Sequence, residues 1–302
     1  MLELQTFVLL LTISFIILLL YNHYHTIDKK EGFTQSVPFI VKRNDEIYDD
    51  FYAEIYDTLY EPIQNVDTIT TILIENTEIN KESILLIIGS DSGEQINHLQ
   101  LKGYNTFMVD KSSSMIDYAK NKYPMIQAMT DNSELPMIYN QATFTHILCI
   151  DFHLYKIKNK QSFFRNIYHW IIPNGYFIIQ LADPNQFNTI IPAGKSIVLD
   201  KPQKYSNERI TETEIDFGSF YYKSKYNFDK IQQNIVTFSE TFIDTNNKNV
   251  RINEQILYME NIETILQLLH YCGFIVKTKY NVKNDINQSI YILQRPPSSF
   301  SR

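Results

Sequence analysis

A short apolar run that stops at a glycine constrains the fold more than any other feature of this 302-residue sequence. Residues Ile84–Ile88 read ILLII and are followed by Gly89 and then by a helical pattern over 94–101. A short, continuous apolar run bounded by a turn signal is typical of a strand that is buried on both faces. The sequence therefore predicts a strand, a tight turn and a helix in that order.

The same alternation of strand and helix patterns continues along the chain. Further strands are predicted at 106–109, 126–129, 145–150, 176–181, 274–280 and 289–294, and further helices at 113–120, 161–172 and 261–271. Strands that alternate with helices at this spacing predict crossover units and a mostly parallel sheet. Residues 45–295 are therefore expected to form one α/β domain with seven strands in its sheet.

Residues 210–259 show a different pattern, in which apolar and polar residues alternate and the connections are short and polar. This alternation predicts antiparallel strands, so we expect an insert over about 205–259, before the last helix. Its aromatic side chains are candidates for lining an apolar pocket. They are Phe217, Phe220, Tyr221, Tyr222 and Tyr226.

Polar residues follow four of the predicted strands. They are the turn Gly89-Ser90-Asp91-Ser92-Gly93 and the acids Asp110, Asp131 and Asp151. Ligands of parallel sheets bind at the carboxyl ends of the strands, and a glycine turn before a helix lets a ligand approach backbone N–H groups. Because the glycine spacing is not Gly-x-Gly-x-x-Gly and no Walker lysine is present, a nicotinamide or nucleoside triphosphate site is disfavoured.

The segment from residue 84 to residue 124 resembles the cofactor half of class I S-adenosylmethionine-dependent methyltransferases, of the small-molecule, type 11-like branch. Gly89 and Gly93 match the outer glycines of the family's turn, and Asp110 matches its ribose-binding acid. Met115 matches a residue of the adenine pocket, and Asp131 an acid that meets the adenine amino group. The similarity spans roughly residues 48–184 and extends loosely to residue 294.

The resemblance implies a Rossmann-like fold and S-adenosylmethionine as cofactor. The cofactor-binding residues that it implies are Tyr48, Tyr52, Gly89, Ser90, Asp91, Gly93, Asp110, Lys111, Met115, Asp131, Asn132 and Asp151. Tyr48 and Tyr52 belong to an amphipathic segment, residues 48–60, that resembles the family's helical lid over the cofactor. The alternative for this tyrosine stripe is an ordinary packed helix face.

Two positions depart from the family's pattern. Ile87 stands where an acid usually helps to hold the cofactor's ammonium group, and Asp91 stands where the middle glycine usually lies. Asp tolerates unusual backbone angles better than most residues, so we hypothesise that Asp91 faces the ammonium and partly replaces the missing acid. The alternative is that Asp91 crowds the site and leaves a degenerate, non-catalytic binding protein.

The catalytic residues are harder to predict. His153 and Tyr155 fall where the family contacts its substrate, although a solvated loop histidine is the alternative for His153. Methyl transfer depends mostly on positioning and on exclusion of water, so a protein base is needed mainly for a hydroxyl acceptor. The expected acceptor is a small molecule or a molecule close to a lipid surface.

The amino terminus predicts a membrane anchor. Residues 7–21 carry no charge, and a helix over 4–22 just reaches the length that spans a bilayer. A cleaved signal peptide and a buried core helix are the alternatives, but no basic n-region or small-residue cleavage site is present. Lysines and arginines follow the apolar run, so we expect a linker over 23–44 and a cytosolic main domain.

Charge and cysteine content exclude other classes of function. The chain has 27 Lys and Arg against 34 Asp and Glu, a net charge of -7. A surface that tracks nucleic-acid phosphates would need clustered basic residues, so no nucleic-acid partner is expected. The two cysteines fit neither a disulfide framework nor a metal site.

Overall fold

The computed structural model describes residues 37–60, 63–89, 91–190, 203, 206–229, 231–232, 234–282 and 285–297, and the single residue 14. Apart from residue 14, the predicted transmembrane helix over 4–22 lies outside the described residues, as do residues 23–36 of the linker and Ser90. Within the described part of the chain, no helix is both long and apolar enough to cross a membrane.

Twelve strands lie in the described residues. They are β1 Phe39–Arg43, β2 Ile84–Ile88, β3 Asn105–Asp110, β4 Gln127–Thr130, β5 Phe144–Cys149, β6 Ile171–Ala182, β7 Glu212–Asp216, β8 Phe220–Phe228, β9 Ile235–Asp244, β10 Val250–Tyr258, β11 Ile275–Val282 and β12 Asp285–Gln294.

Seven α-helices accompany these strands in the same described ranges. They are α1 Asp50–Leu59, α2 Ile63–Asn76, α3 Glu94–Leu101, α4 Ser113–Lys122, α5 His153–Lys156, α6 Lys160–Trp170 and α7 Ile262–Tyr271. A short 3₁₀ helix, Asn44–Ile47, precedes α1. The predicted helices of the main domain are confirmed with small shifts of their ends, whereas the sequence patterns did not predict α2 and α5.

The larger sheet has seven strands in the order β11-β12-β6-β5-β2-β3-β4. Strands β2 to β6 are parallel to one another, whereas β12 is antiparallel to β6 and β11 is antiparallel to β12. The predicted α/β fold with a mostly parallel, seven-stranded sheet is therefore confirmed. In the register of the sheet, Ile88 lies opposite Val109 and Cys149, so the residues that follow these strands meet at one edge.

Strand β2 shows why the apolar run must lie in the centre of the sheet. Leu86 and Ile88 pack into one hydrophobic cluster, and Leu85 and Ile87 pack into the cluster on the opposite face. Successive side chains of a strand point to opposite faces, so all four are buried at once. Full burial of such a side chain stabilises the folded state by about 1.5–3 kcal/mol. Strand β2 is therefore held in the centre of the sheet, and this fixes the position of the turn that follows it.

The second sheet has five strands in the order β1-β10-β9-β8-β7. Its four strands from β7 to β10 are antiparallel and confirm the predicted insert. The predicted linker over 23–44 is wrong for residues 39–43, because these form β1 and pair in parallel with β10. The partner strand lies more than 200 residues away, so no local pattern marks this pairing.

A buried arginine attaches helix α1 to the second sheet. Arg251 of β10 donates from Nη1 to both carboxylate oxygens of Asp49 at 2.9 Å, and from Nη2 to the carbonyl oxygen of Ile47 at 2.9 Å. Asp49 also caps α1, because its Oδ1 accepts from the Tyr52 backbone N–H at 3.2 Å. Arg251 therefore fixes the point at which α1 begins.

We predict that Arg251→Leu lowers the free energy of unfolding by about 3 kcal/mol, because the change removes one partner of a buried ion pair. The matched control is Arg43→Leu, since Arg43 of β1 forms an exposed ion pair with Glu254 of β10 at 2.8 Å. Its loss should cost less than about 1 kcal/mol. Chemical denaturation measures both, and equal losses would contradict the assignment of Arg251 as the attachment point.

Candidate active site

A cavity of about 340 Å³ lies between the carboxyl ends of the parallel strands, helix α1 and the second sheet. Strands β8, β9 and β10 contribute Tyr226, Glu240 and Leu257 to its wall. The parallel sheet contributes the glycine turn after β2 and the residues that follow β5. The cavity therefore occupies the place that the strand-end residues predicted.

The turn after β2 has a left-handed backbone at three positions. Gly89, Asp91 and Gly93 have φ values of 93°, 41° and 81°. Asp is among the few residues with a side chain that tolerate this region, so the turn forms despite the missing middle glycine. Both Gly89 and Asp91 line the cavity.

Asp91 and Asp151 form a pair of carboxyl groups in the cavity wall. The two side chains are hydrogen-bonded to each other, and the Tyr56 hydroxyl donates to Asp91 Oδ1 at 2.5 Å. Burial, and then the neighbouring Asp91, raise the pKa of Asp151 well above its usual range, and burial also raises the pKa of Asp91. Because two adjacent buried carboxylates repel each other, ionisation of one carboxyl group opposes ionisation of the other.

Lys156 is the cation that faces this pair. Its Nζ lies 4.4 Å from the centroid of the Tyr48 ring, and its charge opposes the upward shifts of the Asp91 and Asp151 pKa values. Burial lowers the pKa of Lys156, but Tyr48 and Asp91 raise it by more, and the net shift is upward. Lys156 therefore carries its charge at neutral pH.

Helix α1 presents a stripe of tyrosines to the cavity, consisting of Tyr52, Tyr56 and the flanking Tyr48 and Tyr60. The Tyr52 and Tyr60 hydroxyls lie 3.2 and 3.5 Å from Glu240 Oε1. Burial raises the pKa of Tyr52 well above its usual range, so its hydroxyl stays protonated and donates. The stripe therefore connects the glycine turn, through Tyr56, with the second sheet.

Glu240 is a site residue that the sequence analysis missed, as are Tyr60 and Lys156. The sequence contains a signal for Glu240, because Glu240 shares the buried face of β9 with Val236, Phe238 and Phe242, at every second position. An acid at a period-two apolar position is unusual in a strand. This signal could be interpreted only once β9 was known to contribute to the cavity wall.

Six of the predicted cofactor residues do not line the cavity. They are Gly93, Asp110, Lys111, Met115, Asp131 and Asn132. Asp110 Oδ1 accepts from the Ser112 backbone N–H at 2.7 Å, and the Asp131 backbone N–H donates to the Asp110 carbonyl oxygen at 2.9 Å. The structure thus brings the two predicted nucleoside-binding acids together at adjacent strand ends.

Other members of this group have different surroundings. Lys111 forms ion pairs with Glu134 at 2.5 Å and with Asp45 at 3.5 Å. Met115 is buried in the first turn of α4. Asp131 Oδ1 accepts from the Asn132 backbone N–H at 2.7 Å. These contacts hold the loops after β3 and β4 in place.

His153 covers the glycine turn. Its Nδ1 lies 2.7 Å from the position that a Cβ on Gly89 would occupy, so only glycine fits there. Burial, and then the charges of Lys156 and Lys111, lower the pKa of His153 to about 3. The imidazole is therefore neutral and half-buried in α5, and the alternative of a solvated loop histidine is wrong.

Tyr155 is not a catalytic residue in this structure, which corrects its candidate role. Its side chain is fully buried, and its hydroxyl accepts from the Ala182 backbone N–H at 2.7 Å and donates to the Ala182 carbonyl oxygen at 3.2 Å. Both hydrogen-bonding capacities are used to hold α5 against the end of β6. Of the insert aromatics proposed as pocket residues, Tyr226 lines the cavity, whereas Tyr221 is exposed.

Comparison with known proteins identifies the fold. A family model described as a methyltransferase domain matches residues 86–179. No curated protein matches the chain by sequence. Among solved structures, a S-adenosylmethionine-dependent methyltransferase from Clostridium acetobutylicum is 16% identical with a TM-score of 0.61, and the alignment covers 81% of this chain and 98% of that chain.

Two further structures have the same architecture. The CcbJ methyltransferase from Streptomyces caelestis is 12% identical, with a TM-score of 0.63 and coverage of 82% of this chain and 98% of that chain. CalS10, an amino pentose methyltransferase from Micromonospora echinaspora with bound S-adenosylmethionine, is 10% identical, with a TM-score of 0.52 and coverage of 76% and 89%. The chain therefore has the class I methyltransferase fold, and these matches support S-adenosylmethionine as its cofactor.

The residues of the site fit this cofactor. The carboxyl pair Asp91 and Asp151 lines the cavity and provides oxygen acceptors for an ammonium group. Asp110 lies at the end of the next strand, where a carboxylate can accept from ribose hydroxyls. Asp110 does not line the cavity, and the His153 side chain lies against Gly89.

We predict that Asp151→Asn stabilises the protein more at pH 8 than at pH 4. A carboxyl whose folded pKa is raised contributes stability at low pH and loses it as the pH rises through that pKa. Asn has no proton to lose and tolerates the φ of 51° at this position.

Denaturation of both proteins across this pH range measures the difference in the free energy of unfolding. A difference that stays constant from pH 4 to pH 8 would contradict the raised pKa of Asp151.

Proposed function

We propose that this protein is a S-adenosylmethionine-dependent methyltransferase whose small-molecule acceptor binds in the cavity between the two sheets. The observation that carries the proposal is the position of the Asp91–Asp151 pair, which lies at the glycine turn and faces a tyrosine-lined cavity. Two neighbours in fold act on small molecules according to their descriptions, CalS10 on an amino pentose and KedS8 as a sugar N-methyltransferase. They support an acceptor of similar size.

When bound, S-adenosylmethionine supplies an electrophilic methyl group on a positively charged sulfur. The chain's own residues bind and orient the reactants. Asp91 and Asp151 bind the ammonium of the amino-acid portion, and Asp110 binds the ribose hydroxyls. The tyrosines of α1 and Tyr226 cover the cavity and exclude water, which promotes a displacement that depends on alignment.

The geometry of Asp91 bears on whether the site is active or degenerate. Ile87, which replaces the family's acid, is buried and presents an apolar surface to the cavity. The Asp91 carboxyl is hydrogen-bonded to Tyr56 and Asp151 in the wall, and about 340 Å³ remains open beside it. This arrangement supports the hypothesis that Asp91 replaces the missing acid, and it disfavours the degenerate binding protein.

We predict that the full-length chain in detergent binds S-adenosylmethionine and that Asp110→Ala weakens binding at least about 10-fold, because one charge-assisted hydrogen bond contributes roughly 1.5–3 kcal/mol. Isothermal titration calorimetry measures the affinity. Asp117→Ala is the matched control, since Asp117 is exposed on α4, seven residues further along the chain. Equal affinities of the two variants would contradict the role of Asp110.

The same titration with Asp91→Gly separates the two hypotheses for the turn. Weaker binding than the wild type supports a contact between Asp91 and the ammonium group. Tighter binding would refute this compensation and favour the view that Asp91 crowds the site. A folded wild-type chain that binds no S-adenosylmethionine would establish the degenerate alternative.

We also propose that residues 4–22 anchor the protein in a membrane, with the main domain in the cytosol and an acceptor close to the lipid surface. The support is the uncharged run over 7–21, which has roughly the length that a spanning helix needs. Lys29, Lys30, Lys42 and Arg43 follow it on the side of the main domain.

We predict that the full-length chain floats with phosphatidylcholine vesicles in a density gradient. Because the apolar run provides the attachment, a variant with Leu10, Ile13 and Leu18 replaced by Asp should remain at the bottom of the gradient. Flotation of both proteins would refute an anchor in this segment, and failure of the wild type to float would refute it equally.

A further inference from the structure

Glu240 has no role in binding the cofactor as proposed, yet it lines the same cavity. It belongs to β9 of the second sheet and is 2% exposed. The Asp91–Asp151 pair lies at the glycine turn of the parallel sheet, and Glu240 lies on the sheet that covers it. The cavity therefore has two acidic ends, which the tyrosines of α1 connect.

Hydrogen-bond donors surround the Glu240 carboxyl. Oε1 accepts from the hydroxyls of Tyr222 at 2.9 Å, Tyr52 at 3.2 Å and Tyr60 at 3.5 Å, and Oε2 accepts from Asn253 Nδ2 at 3.3 Å. Donors directed at a carboxyl group favour its ionised form. Burial outweighs these four contacts and raises the pKa of Glu240, so the contacts reduce the cost of ionising the buried carboxyl group without removing it.

The charge of this carboxylate is not matched by a nearby side chain. Among the described residues, no Lys or Arg forms an ion pair with Glu240. The charge of Arg251 lowers the Glu240 pKa, but its guanidinium is engaged by Asp49, Ile47 and Asn253. A buried carboxylate without an ion-pair partner is costly, and a cationic ligand would remove that cost.

The aromatic rings around Glu240 suit the same kind of ligand. Tyr52, Tyr56, Tyr60 and Tyr226 line the cavity with Glu240, and the faces of aromatic rings attract cations when water is excluded. The protein itself provides an example, because the Lys156 ammonium lies 4.4 Å from the centroid of the Tyr48 ring in the same cavity. Lys156 interacts with Asp91 and Asp110, which leaves the Glu240 end for another cation.

We propose that the methyl acceptor is a primary or secondary amine that enters the cavity as an ammonium ion and binds to Glu240. The identity of the acceptor rests on the proposed methyl transfer, whereas the ammonium site rests on Glu240 and its surroundings alone. The ammonium gives one proton to the Glu240 carboxylate, which yields a neutral amine and a neutral carboxyl group. The amine lone pair then forms the bond to the methyl carbon as the carbon–sulfur bond breaks, its electron pair stays on sulfur, and the product is a methylated ammonium.

The test compares two ligands of equal size, cyclohexylamine, which is cationic at pH 7.5, and cyclohexanol, which is neutral. Titration calorimetry on the full-length chain in detergent should show at least about 10-fold tighter binding of the amine, because a charge-assisted contact replaces a neutral one. Glu240→Gln keeps the shape of the side chain and should remove this preference. Glu263→Gln, an exposed change on α7, should retain it.

Equal affinities of cyclohexylamine and cyclohexanol for the wild type would overturn the proposal, and this comparison does not depend on the folding of any variant. A folded Glu240→Gln protein that keeps the full preference would overturn the role of Glu240. Titration with S-adenosylmethionine in the same preparation separates the two proposals. Binding of the cofactor without amine preference refutes only the amine acceptor, and amine preference without cofactor binding supports the ammonium site while refuting methyl transfer.

Discussion

The site depends on the hydrogen bonds by which one helix joins two acids from different sheets. Tyr56 of α1 donates to Asp91 in the glycine turn, and Tyr52, one helical turn earlier, donates to Glu240 in β9. Residues four apart lie on the same face of a helix, so the spacing of the tyrosines creates the connection. Arg251 holds the start of α1 against the second sheet, and the tyrosines of α1 line the cavity between the sheets.

Like charges and strained backbone positions are concentrated around this cavity. Among the described residues, four acidic side chains and one lysine line the cavity, and Asp91, Asp151 and Phe152 have positive φ values. Strained backbone positions cost on the order of 1–3 kcal/mol each and persist where the surrounding structure determines them. The buried strands β2 and β5 offset this cost, because they hold in place the residues at which the two strained loops begin. A ligand that brings positive charge would relieve the repulsion, which is consistent with a cofactor and an acceptor that are both cationic.

Local patterns in the sequence predicted most of the parallel sheet and the acids at its edge. Each strand is an apolar run, and the register of a parallel sheet places the residues after Ile88, Val109 and Cys149 together. What could not be predicted involves pairings between distant segments. Strand β1 forms because it pairs with the distant strand β10. Glu240 reaches the cavity because the insert packs against α1. Tyr155 shows the opposite error, since its position after a strand suggested chemistry while its hydroxyl holds the Ala182 backbone.

If this protein binds S-adenosylmethionine as proposed, one site extends from the Asp91–Asp151 pair to Asp110, with His153 moved away from Gly89. A crystal structure of the full-length chain with S-adenosylhomocysteine is the most direct test. We expect the ligand's ammonium within about 3.5 Å of Asp91 or Asp151, its ribose hydroxyls at Asp110, and the His153 ring turned away from Gly89. A ligand bound elsewhere, or an empty cavity at saturating ligand with His153 still against Gly89, would contradict it.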